Sequence, residues 1–122
     1  MAQPPAELLE GLRLFNEGRY YDAHEAWEER WQEIGDSSAG FWKGLIQIAV
    51  AFLHWERGNA AGALKLSRSG RRYLEPFRPR FLGLDLEALL AELERAFAPL
   101  EQAARERRPA PPLEEKPRIP LP

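Results

Sequence analysis

The chain contains no cysteine, so neither a disulfide framework nor a thiolate metal site can form. Long apolar runs are also missing. The most apolar stretch, Leu45–Leu53, is nine residues and includes Gln47, against the roughly 20 residues a membrane span needs. The start, MAQPPAELLEGL, lacks the basic head and apolar core of a signal peptide. We therefore expect a cytoplasmic protein with no membrane segment. β-branched residues are scarce and no hairpin signal appears, so no strands are expected. Gly-rich phosphate loops, H-E-x-x-H and a plausible Ser-His-Asp set are all missing. What is left is one 122-residue domain with an ordinary globular mixture, 44% hydrophobic and 30% charged.

Net charge is only −2, but it is unevenly placed. Residues 1–34 hold eight acidic and three basic side chains. Residues 57–80 hold seven basic side chains against Glu75 alone. Such asymmetry can lock a fold or a dimer together, or present one sign to a partner. Lys65, Arg68 and Arg72 share a helix face, but the acidic pI of about 5.8 argues against nucleic-acid binding. The acids of the second helix are the expected partners of these cations. Arg outnumbers Lys by 14 to 3, which points weakly to a GC-rich or heat-adapted source.

Apolar spacing predicts an all-α fold: a small bundle of about five helices built from antiparallel hairpins, spanning residues 1–108. Pro4 and Pro5 suit a first turn, and Gly18 stops the first helix after Leu8, Leu12 and Phe15. The second helix, about Tyr20 to Ile34, carries a stripe of Tyr20, Ala23, Trp27, Trp31 and Ile34. The third, about Ala39 to Arg57, is apolar nearly all round and belongs at the centre, with caps available from Asp36, Ser37 and Ser38. Asn59 caps a fourth helix ending near Leu74, whose Gly62, Ser67 and Gly70 allow close approach. Pro76 and Pro79 force a loop. Asp85 caps a fifth helix striped by Leu86, Leu89, Leu90, Leu93, Phe97 and Leu100, with a kink or break expected at Pro99. The tail from Pro109 has six prolines in 14 residues and reads as extended. Leu113, Ile119 and Leu121 are its expected anchors.

Gly18 and Ala23 recur as Gly58 and Ala63, 40 residues later. Each set falls at a helix–turn–helix corner, which resembles tetratricopeptide hairpins. Two such units are too few for a solenoid.

The segment Asp22-Ala-His24-Glu25-Ala-Trp27-Glu28-Glu29-Arg30-Trp31 carries the candidate site. His24 and Glu28 stand at i and i+4, where they can share a metal ion or where the carboxylate can orient the imidazole for acid–base work. The same pair can equally be a polar edge to the aromatic core. Gln47 is the single polar side chain from Gly44 to Leu53 and falls opposite this region in an antiparallel pairing, so Glu28 or His24 is its expected partner. His54, further along the third helix, is a further candidate ligand. Trp27 is expected in the core.

The run from Phe15 to Trp31 resembles the signature of the bacterial and archaeal family called domain of unknown function 309. That family is marked by H-x3-E-x2-(W/Y), matched by His24, Glu28 and Trp31. The stretch from Gly44 to Ala51, with Gly58-Asn59 and Gly62-Ala63, is similar to it as well. The resemblance covers roughly residues 8–75. It implies a small all-helical fold, a metal-binding role for the motif with a divalent ion as cofactor, and no particular reaction. The competing expectation is a protein–protein interaction or homodimerisation module without catalytic activity.

Overall fold

A computed structural model describes residues 4–122. The reading of the first three residues as the head of a segment without a signal peptide lies outside it. Five helices follow in order: α1 (Ala6–Asn16), α2 (Tyr20–Glu33), α3 (Ala39–Glu56), α4 (Ala60–Leu74) and α5 (Leu86–Arg105). α2 packs on α1 and α3, and α4 packs on α3, so the first four helices form two consecutive hairpins. α3 is central, with Phe41, Trp42, Leu45, Ile48, Ala49, Ala51 and Phe52 all buried. A helix that is apolar on most sides can hide them only between neighbours. α5 covers the assembly through its Leu stripe and Phe97, whose ring centroid lies 4.7 Å from that of Phe52 and 5.3 Å from that of Trp55.

The two corners have one geometry. Arg19 (φ −91°, ψ 71°) and Asn59 (φ −96°, ψ 77°) precede α2 and α4 in the same conformation. Gly18 and Gly58 have φ of +78° and +79°, a region that favours a residue without Cβ. Their N–H groups bond back to Phe15 and Trp55, which also stand 40 residues apart. Asn59 caps α4 by accepting from Gly62 N–H at 2.9 Å, and Asp85 caps α5 by accepting from Ala88 N–H at 3.0 Å. Gly62 thus serves this cap, whereas the close helix contact falls at Gly44 and Gly70. At α3 the N-cap residue, Ser38, makes no side-chain cap bond; instead Asp36 Oδ1, two residues earlier, accepts from both the N–H and the hydroxyl of Ser38. Those bonds to Ser38 hold the Asp36 carboxyl below its ordinary value.

Three expectations need correction. Strands do form: Arg80–Phe81 (β1) pairs antiparallel with Leu84–Asp85 (β2), after a 3₁₀ turn at Glu75–Phe77 and a cis Arg78–Pro79 bond. The two-residue link Leu82-Gly83 has φ of 50° and 81°, the double positive φ that closes tight hairpins. Pro99 does not break α5, which runs unbroken to Arg105. Pro99 faces solvent, where water can satisfy the carbonyl one turn back. In the tail, Ile119 is 3% exposed and Leu113 packs on the core, but Leu121 is 57% exposed and anchors nothing.

Candidate functional site

His24 and Glu28 come together on the flank of α2. His24 Nε2 lies 2.9 Å from Glu28 Oε2, with the side chains 19% and 39% exposed. Ala23 and Trp27 take the helix phases that face the core, and one residue further round places His24 and Glu28 at its edge. Trp27 packs so tightly on α1 that a Cβ on Gly11 would sit 2.0 Å from its indole nitrogen. This fixes the rotation of α2 and so the direction of the pair. Trp31 is partly buried one turn on.

The imidazole has two oxygen neighbours. Its Nδ1 lies 2.8 Å from the Tyr21 carbonyl. A carbonyl only accepts, so Nδ1 bears the hydrogen. Nε2 then faces a Glu28 carboxyl oxygen, and the contact is favourable when one of the two carries a hydrogen toward the other or when an ion stands between them. The Tyr21 ring stands 5.1 Å from the imidazole and limits its rotation. Tyr21 escapes motif reading because its part is played by a backbone carbonyl three residues before the histidine. Glu25, Glu29 and Gln32 complete an open groove around the pair.

Two expected members of the site do not join it. Gln47 Oε1 is buried without a hydrogen-bond partner, and the polar contacts of His24 and Glu28 are with the Tyr21 carbonyl and with each other rather than with Gln47. His54 turns the other way, with Nδ1 3.4 Å from Asn59 Nδ2 at the α3–α4 corner. Phe52 and Trp55 occupy the core-facing phases beside it. Among the described residues, no third His, Asp or Glu gathers with His24 and Glu28 in a metal-holding group.

The basic segment also finds partners other than those expected. Arg68 and Arg71 meet Glu101 of α5, at 2.6 and 3.6 Å. Arg78 meets Glu75 and Glu87, at 2.6 and 2.7 Å. The bond from Arg68, reinforced by its charge, holds the Glu101 carboxyl below its ordinary value. α2 and α4 flank α3 separately, so the acids of α2 do not meet these cations.

The class defined by these features is a small all-helical protein of two corner-matched hairpins, bearing an i,i+4 histidine–carboxylate pair beside a half-buried tryptophan. Residues 8–66 match the family model described as domain of unknown function DUF309, so this stretch of the chain is similar to that family. The motif residues His24, Glu28 and Trp31 fall within it. The chain is also similar to a Bacillus subtilis (strain 168) protein described as uncharacterized protein YpuF, with 34% identity over 101 residues. The match covers 80% of this chain and 58% of that relative, so the chain spans little more than half of the relative's length. No helix among the described residues is long and apolar enough to cross a membrane.

Proposed function

We propose that His24 and Glu28 hold a divalent metal ion at the mouth of the α2 groove. The observation that carries this is the Nδ1–H bond to the Tyr21 carbonyl, which leaves Nε2 as the ligating atom facing a carboxylate. Metal-binding histidines usually donate their other ring hydrogen in this way. An imidazole nitrogen and a carboxylate oxygen together suit borderline divalent ions such as manganese, nickel or zinc. Two protein ligands leave the other positions to water or to a bound molecule, so affinity is modest and exchange is fast. The test is calorimetric titration of untagged protein with manganese, nickel and zinc beside His24→Ala. Saturable binding lost in the variant supports the site. Equal heats from both proteins, or none, sink it.

A second reading is an interaction scaffold, and the matched corners at Gly18 and Gly58 favour it. Hairpins repeated with one geometry make a regular surface suited to association with a partner or a second copy. Sedimentation of the full chain over a concentration series tests the self-association form. A monomer at every concentration would count against it.

A further inference from the structure

The tail is held more as a ligand is than as a piece of core. After α5, Arg107 turns the chain back with φ of 55°, and Arg108 N–H bonds to Ala103 O at 2.9 Å. The proline-rich segment then crosses the ends of α3 and α1. Trp55 Nε1–H donates to the Pro111 carbonyl at 2.8 Å. Lys116 reaches Glu56 at 3.1 Å and lies 5.8 Å above the centre of the Tyr20 ring. Asn16 grips Ile119 from both sides: its Nδ2–H donates to Ile119 O at 2.8 Å, and its Oδ1 accepts from Ile119 N–H at 2.7 Å. Pro117 and Ile119 are buried, and most of the remaining tail is exposed.

Each of these contacts has a separate recognition role. Asn16 pairs with a backbone as a neighbouring strand would, so it reads an extended chain whatever its side chains. Trp55 reads the carbonyl of a proline-fixed segment, which has little conformational entropy left to lose. Glu56 selects a cation, and the hollow over Ile119 selects an apolar side chain three positions later. Tyr20 packs on Phe15 and Phe52, and Trp55 packs on Phe52 and Phe97, all of them residues of the helices. The walls of the groove therefore come from α1, α2 and α3.

We propose that Asn16, Tyr20, Trp55 and Glu56 form a binding groove for an extended, proline-containing peptide of a partner protein, with a basic residue three positions before an apolar one, and that the tail occupies this groove in cis. The inference rests on the scaffold reading, for which it names the surface and the ligand. A tethered segment is present at millimolar effective concentration, so a partner competes only when the tail is loosened.

The experiment uses the full-length chain and a fluorescein-labelled peptide with the sequence of residues 109–122, followed by anisotropy. Ile119→Asp unhooks the tail and leaves the groove intact. It should bind the peptide saturably and at least about tenfold more tightly than the parent. Adding Asn16→Ala should weaken that binding about tenfold. Lys116→Glu, repelled by Glu56, loosens the tail independently should Ile119→Asp fold poorly. No binding by either loosened variant, equal binding by parent and variants, or indifference to Asn16→Ala would each overturn the proposal. Peptide uptake only by a dimer would assign the groove to a second copy's tail and overturn the partner reading. Self-association is read by sedimentation and groove occupancy by anisotropy, so failure of one is distinguishable from failure of the other.

Discussion

Gly44 and Gly70 meet across the α3–α4 interface with their backbones nearly in contact. A Cβ on either glycine would lie 3.0 Å from the other's carbonyl oxygen. The same Cβ would stand 2.8 Å from Leu74 at Gly44 and 2.9 Å from Ile48 at Gly70. Alanine improves intrinsic helix propensity by up to about 1 kcal/mol. Overpacking against a backbone oxygen costs about 1–3 kcal/mol, because the carbonyl cannot move aside without shifting a helix. Gly70→Ala and Gly44→Ala should therefore each lower stability, and urea unfolding monitored by tryptophan fluorescence checks the sign.

Glu28 separates site chemistry from stability. Its side chain is 39% exposed and its partner is on its own helix. Glu28→Ala and Glu28→Gln should each change stability by less than about 0.5 kcal/mol. Both should abolish metal binding, since a neutral amide is a poor ligand for a divalent ion. Thermal melts with and without manganese measure both effects. A loss above 1 kcal/mol from either variant would place Glu28 in the structural core instead.

Tyr20 sets an alkaline limit. Its hydroxyl is buried without a hydrogen-bond partner, and burial, helped by the nearby Glu56 charge, pushes its pKa well above the ordinary value. The unfolded chain then loses this proton near pH 10 while the folded chain keeps it. Stability therefore falls as pH rises above about 10. Tyr20→Phe should remove this part of the fall and raise neutral-pH stability by about 1 kcal/mol, since an unpaired hydroxyl is no longer buried. Unfolding curves of both proteins at neutral pH and at pH 10.5 would reveal it.

Gln47 carries an unpaired acceptor in the middle of α3. Gln47→Met keeps the volume and removes the unsatisfied oxygen, so stability should rise by about 1 kcal/mol. A lower melting temperature would mean that the amide has a partner in solution.

The five helices were legible because each is long, periodic and punctuated, as with Gly18 and Gly58 at the corners. The β1–β2 hairpin was hidden because Leu82, a residue that seldom adopts positive φ, occupies a position where glycine or asparagine would have announced the turn. The His24–Glu28 contact could be read because both residues sit on one helix, where spacing alone fixes proximity. Gln47 and His54 sit on another helix, where a few tens of degrees of rotation decide the partner. On the α2 side the rotation is set by Trp27 against Gly11 of α1, a fit between surfaces that no local pattern encodes. The tail anchors followed the same division: Ile119 was apparent as an apolar residue, but the grip of Asn16 on its backbone was not.

The likeness of the two corners gives the molecule its own reference standard. A Cβ at Gly58 would meet nothing within 4 Å, whereas one at Gly18 would meet Lys116 Nζ at 2.9 Å. Backbone strain is otherwise the same in both places, with φ differing by one degree. Gly58→Ala thus calibrates the conformational penalty alone, and Gly18→Ala adds the displacement of the tail lysine. Subtracting one from the other weighs the strap against the body without cutting the chain, a measurement that a fold with unlike corners could not offer.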